Sequence, residues 1–139
     1  MKTFKVALVL FLGVVLCSAA VPQKTNYEKK IDKFMAGVVE GKIDKSYDEL
    51  VAGTLLESKK QMMQMTKEST RTAFKLYGKI IDSEFITRQN YGNSIVKLIY
   101  IIKLESTPLI YEFYFYKATS DWKLVSIKFS DELDKLVDK

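Results

Sequence analysis

At Gly78 the hydrophobic rhythm of this chain changes, and that switch limits the fold more than any other feature of its 139 residues. From residue 25 to about 77, apolar side chains recur at helical spacing. From 79 to about 130 they follow strand patterns, punctuated by short polar turns. Helices gathered at one end and strands at the other predict an α+β fold rather than an alternating α/β one.

Three helix starts can be read from capping signals. Thr25 and Glu28 have capping-box spacing, in which each satisfies the other's orphan N–H. Tyr27, Ile31, Phe34 and Val38 then follow at steps of four, three and four, which puts them on one face. Gly41 is the expected stop. Ser46 with Glu49 predicts a second, shorter helix with Tyr47, Leu50 and Val51 inward and Gly53 at its end. Thr54 with Glu57 predicts a third, whose inner stripe would hold Leu55, Met62 and Met65 with Leu56 and Met63. That helix either runs past Ser69 or breaks in Ser69-Thr70-Arg71-Thr72.

Four strands follow. Between Lys79 and Arg88, Ile81, Phe85 and Thr87 alternate with Asp82, Glu84 and Arg88. Asn90 to Asn93 reads as a turn. Ile95 to Leu104 is apolar apart from Lys97 and Lys103, and Glu105 to Pro108 turns the chain. Leu109 to Ala118 sets Tyr111, Phe113 and Phe115 against Glu112, Tyr114 and Tyr116. After a turn at Thr119 to Asp121, Trp122 to Phe129 sets Val125, Ile127 and Phe129 against Leu124, Ser126 and Lys128. Such short connections imply antiparallel neighbours. Asp131 to Val137 is expected to close the chain with a short helix. The two middle strands are apolar on both faces, so both faces should be covered. One cover is the helices. The other is a second copy of the protein or the sheet's own curvature.

The first twenty residues have the order of a cleavable signal peptide: Lys2 and Lys5, an apolar run from Val6 to Leu16, then Ser18-Ala19-Ala20. The expectation is a signal peptide over 1–20, cut before Val21 or before Ala20, and a single exported domain over 21–139, periplasmic or secreted. A retained anchor would need about 18–20 apolar residues, more than this run provides. A lipoprotein acylated at Cys17 would want a small residue where Leu16 stands. No membrane span is then expected in the mature chain.

Removing Lys2 and Lys5 takes 22 basic residues to 20, against 17 acidic ones. They are scattered rather than blocked, and only Arg71 and Arg88 are arginine, so no nucleic-acid partner is expected. Cys17 is the only cysteine and there is no histidine. A mature domain without either cannot form a Ser-His-Asp triad, a thiol nucleophile or a usual zinc site. Six single, scattered glycines make no phosphate-cradling loop. No cofactor and no metal is expected. Acid/base chemistry would fall to carboxylates and phenols. Glu112 is the one acid in a strongly apolar strand, with Tyr100, Tyr114 and Trp122 as candidate neighbours. Those four are the candidate ligand-binding residues, and no residue is assigned as catalytic. The plainer alternative has Glu112 facing water or paired with Lys97. Met62, Met63 and Met65 read as core packing or as an adaptable surface.

The order of parts resembles the nuclear transport factor 2-like superfamily, in particular its small exported bacterial members. The resemblance rests on "EGKIDKSYDEL" (40–50), "LYGKI" (76–80) within "YGKIIDSEF" (77–85), and the hairpin "YFYKATSDWKLVSI" (114–127). It covers roughly 25 to 132. It implies helices packed on a curved four-stranded antiparallel sheet, a cystatin-like cone around a cavity, often dimeric through the sheet's outer face. The dehydratase members rely on histidine, which this chain lacks. The acid and tyrosine of the ketosteroid isomerases cannot be matched here one by one, so no catalytic residue is carried over. The functional expectation is an exported binding domain for a small apolar ligand or a protein partner, with a homodimer as one form. An isomerase-like enzyme and a purely structural dimerisation module are the alternatives.

Overall fold

The computed structural model describes residues 23–136. The expected signal peptide and the end of the expected closing helix, at Val137, lie outside them. The described chain is α+β: four helices, then four strands, with the helices packed on one face of the sheet.

Helix α1, Asn26–Val39, begins with the predicted capping box. The Glu28 N–H donates to Thr25 Oγ1 at 3.3 Å and the Thr25 N–H to Glu28 Oε2 at 2.7 Å. Its buried face is Tyr27, Ile31, Phe34 and Val38, joined by Met35. Gly41, at φ +79°, turns the chain out of the helix.

Helix α2 starts at Ile43, ahead of the expected Ser46. Ser46 is therefore interior and caps nothing. Its hydroxyl donates to the Lys42 carbonyl at 2.6 Å, and Glu49 turns to Lys33 and Lys45. Close packing is the reason: a Cβ on Gly37 would fall 2.2 Å from Ser46 Oγ, so α1 and α2 meet through the smallest residue of each.

The third predicted helix is two helices, α3 (Leu55–Ser58) and α4 (Lys60–Tyr77), broken at Lys59 and continuous through Ser69–Thr72. The Ser58 hydroxyl folds back on the Leu55 carbonyl at 2.8 Å, which closes the first turn. Thr66 and Thr70 satisfy their hydroxyls inside α4, on the Met62 and Thr66 carbonyls, so neither interrupts it. The break resets the helical phase. Leu56 and Met63 face the core as expected, but Leu55, Met62 and Met65 are exposed, and Lys67 and Thr70 take inner positions instead. Lys67 is tolerated there because its ammonium reaches Asp48 at 2.6 Å.

Strands β1 (Ile80–Tyr91), β2 (Ile95–Leu104), β3 (Pro108–Lys117) and β4 (Trp122–Ser130) form one antiparallel sheet in the order 1-2-3-4. Strand β1 extends to Tyr91, and the turn moves to Gly92–Ser94 with Gly92 at φ +60°. Register shifts interrupt β1 between Ile80 and Asp82 and between Phe85 and Thr87. Phe85 pairs with Tyr100 on the helix face, while Thr87 pairs with Ile99 on the other, so the expected Ile81-Phe85-Thr87 face does not exist. A third shift leaves Val125 unpaired in β4: Tyr114 faces Ser126, but Phe115 faces Leu124. The extra residue flips the strand. Leu124 and Trp122 join Ile127 and Phe129 toward the helices, and Val125 is exposed.

The helix face of β2 and β3 carries Val96, Leu98, Tyr100, Ile102, Tyr111, Phe113 and Phe115, all buried. The inside of the curve is filled. Phe34 stands edge-on to Tyr47 and Phe113, with centroids 4.9 and 5.6 Å away. The Tyr47 hydroxyl meets Thr70 Oγ1 at 2.9 Å and the Tyr111 hydroxyl at 3.3 Å, so these buried phenols satisfy one another. The described residues end in a 3₁₀ turn, Leu133–Leu136, just after Asp131, which accepts from the Tyr77 hydroxyl.

Candidate functional site

Alternation along the strands decides where the four sequence candidates go. Tyr100 and Trp122 lie on the helix face; Glu112 and Tyr114 lie on the outer face. The sheet separates the two pairs, so Glu112 does not sit with Tyr100 or Trp122. Nor do those two meet. Tyr100 shares a row with Tyr111, and Trp122 shares one with Lys117, six residues further along β3.

The outer face carries a compact charged and aromatic cluster. Lys97 on β2 reaches Glu112 Oε1 at 2.7 Å. The Tyr114 hydroxyl donates to Glu112 Oε2 at 2.9 Å. Both Lys97 and Lys128 lie over the Tyr114 ring, at 5.7 and 5.3 Å from its centroid. Burial alone would raise the Glu112 carboxyl, but the hydrogen bonds from Lys97 and Tyr114 outweigh it and hold it below the usual range. Burial and the Glu112 charge push the Tyr114 phenol up. A carboxylate with both oxygens engaged and its proton affinity lowered is a poor general base.

Beyond that cluster, the same face ends in exposed apolar side chains from every strand: Tyr91, Ile95, Tyr116 and Val125. Tyr91 pairs with Ile95, and Ile95 with Tyr116, so they form a row across the sheet. Ile95, Tyr116 and Val125 line a shallow depression of about 380 Å³ with Tyr114 at its inner edge. The sequence signal for this patch was the two-sided apolarity of β2 and β3. The bulge that adds Val125 could not be read.

On the helix face, the Tyr100 hydroxyl donates to Asp32 Oδ1 at 2.8 Å, and Lys24 holds Asp32 Oδ2 at 2.6 Å. Burial and the neighbouring Asp32 push the Tyr100 phenol well up. Phe85 meets the Tyr100 ring edge-on at 5.2 Å, and Arg88 reaches Glu28 at 3.4 Å. Asp32 was missed as a partner for Tyr100. Its one sequence signal is the Glu28–Asp32 spacing, which puts two acids on the same side of α1.

No family model matches the chain, and neither a curated protein nor a solved structure matches it. Among the described residues, no group of three or more His, Cys, Asp or Glu side chains could hold a metal ion. No helix there is long and apolar enough to cross a membrane.

Proposed function

We propose that this is an exported, non-catalytic binding domain of the nuclear transport factor 2-like kind, and that its working surface is the outer face of the sheet. The occupant of that face is a second copy of the chain. One observation carries the reading: Tyr91, Ile95 and Tyr116 stand exposed in a row across β1, β2 and β3, with the bulged Val125 of β4 beside them, next to the Lys97–Glu112–Tyr114–Lys128 cluster. A contiguous apolar patch rimmed by polar groups is the usual mark of an interface. A face bearing apolar groups and charges of both signs is self-complementary across a two-fold axis. The filled interior supports binding around the sheet over a ligand lodged inside the cone.

The test is sedimentation of the wild type and of Tyr116→Lys at micromolar concentration. A dimer that Tyr116→Lys converts to a folded monomer supports the reading, and a wild-type monomer contradicts it.

Asp32 with Tyr100 is the one observation on the side of an acid/base enzyme. It gives a carboxylate and a phenol in contact, near the exposed Phe85. Asp32 is already engaged by Tyr100 and Lys24, which makes catalysis the second reading.

A further inference from the structure

At the end of the sheet where α1 begins, a pocket of about 530 Å³ opens between the first turn of α1, the link from α2 to α3, and the β3–β4 turn. That volume lies within the range of small-molecule sites. Its walls include three aromatic rings. Tyr27 stacks at a tilt on Phe115 and Trp122, with centroids 5.0 and 5.7 Å apart. Lys30 and Lys123 stand on the rim with Asp121. Neither lysine joins an ion pair among the described residues. Lys30 follows Tyr27 by one helical turn, so the two project from the same side of α1.

The decisive feature is the Tyr27 hydroxyl. The residue is only 7% exposed, and its oxygen is buried with no hydrogen-bond partner among the described residues. The other buried phenols all have partners: Tyr47 and Tyr111 are satisfied by Thr70 and by each other, and Tyr100 by Asp32. A buried donor left unpaired calls for an explanation, since such groups nearly always find a partner. Here the residue that carries it also lines the pocket.

We propose that this pocket binds a small aryl carboxylate. The aromatic body lies against Phe115 and Trp122. The carboxylate sits at the mouth with Lys30 and Lys123 and accepts the Tyr27 O–H. The half-buried Trp122 ring, at the very start of β4, swings outward as the acid enters and stays packed on the ligand's ring, and that movement opens the Tyr27 hydroxyl to the carboxylate. The site is distinct from the outer sheet face and stands or falls separately from it.

Trp122 is the only tryptophan, so its emission reports this pocket directly. Protein purified as the cell produces it is titrated with phenylacetate and with the neutral phenylacetamide, following emission and melting temperature. Phenylacetate is expected to shift the emission saturably and to raise the melting temperature, with the amide about tenfold weaker. Tyr27→Phe is expected to remain folded, with a melting temperature no lower than the wild type, yet to bind phenylacetate about fivefold more weakly. Lys30→Met weakens phenylacetate and leaves phenylacetamide unchanged. Flat emission with an unchanged melting temperature up to about 10 mM phenylacetate overturns the proposal. So does equal affinity for acid and amide, or undiminished binding by folded Tyr27→Phe.

Discussion

Lys97 and Glu112 form an ion pair at 2.7 Å on the outer face of the sheet, with their side chains only 13% and 15% exposed. They sit on adjacent strands, β2 and β3, and Tyr114 completes the carboxylate's hydrogen bonding. Most surface ion pairs contribute little because water screens them. This one is largely withdrawn from water, so each charge depends on the other.

That dependence gives the first prediction. Replacing one partner strands the other charge, so Lys97→Met is expected to cost about 2 kcal/mol. The double change Lys97→Met/Glu112→Leu removes both charges and should recover most of that loss. Urea unfolding of the two single variants and the double variant measures the coupling. Single losses that simply add in the double variant would show the pair to be inert.

Acid should weaken the fold through the same carboxyl. The folded-state pKa of Glu112 lies below its ordinary value of 4.5, and that of Glu28 does too, where burial is outweighed by Thr25 and Arg88. A lowered carboxyl stabilises the folded state above the unfolded value, and the contribution disappears as pH falls through the folded value. Stability should thus be flat from neutral pH down to about pH 5 and decline below it. The urea midpoint measured against pH checks this, and Glu112→Gln should make the decline shallower. An unchanged slope in Glu112→Gln would remove Glu112 as a cause.

The buried phenols should separate cleanly. Tyr47→Phe removes the hydroxyl that joins Thr70 to Tyr111, and is expected to cost about 1–2 kcal/mol. Tyr27→Phe removes a hydroxyl that bonds nothing among the described residues, and should cost nothing or add stability. Thermal melts of the two variants side by side decide this. Equal destabilisation would mean that the Tyr27 hydroxyl has a partner after all.

Where α1 meets α2, Gly37→Ala places a methyl group 2.2 Å from the present position of Ser46 Oγ. The hydroxyl must then leave the Lys42 carbonyl. The expected net loss is about 1 kcal/mol, in spite of alanine's greater helix preference. Adding Ser46→Ala removes the clash and should restore stability to about the wild-type level. A Gly37→Ala variant more stable than the wild type would show that the helices move apart freely.

The fold class could be read because it rests on period, and period survives local error. The face of α1 was legible from Tyr27, Ile31, Phe34 and Val38, and that of β3 from Tyr111, Phe113 and Phe115, since each sits in an uninterrupted element. What escaped was set by single residues that shift phase. The stop at Lys59 rotated α4 and turned Met62 and Met65 outward. The bulges after Phe85 and at Val125 exchanged the faces of β1 and β4. Ser46 carried the right residue type for a cap but was needed beneath Gly37. The candidate site divided for a simple reason. Glu112 and Tyr114 have even numbers in a strand whose odd positions face the helices, while Trp122 had its parity reversed by a bulge with no sequence signature.

The outer face remains the centre of the account, and its oligomeric state is the most direct test. Sedimentation equilibrium at micromolar concentration should show a dimer for the wild type. Tyr116→Lys and Val125→Lys, both at exposed positions and both expected to keep the wild-type melting temperature, should sediment as monomers. A wild-type protein that stays monomeric at these concentrations, or a dimer that survives both lysines, contradicts the claim that this face is the binding surface.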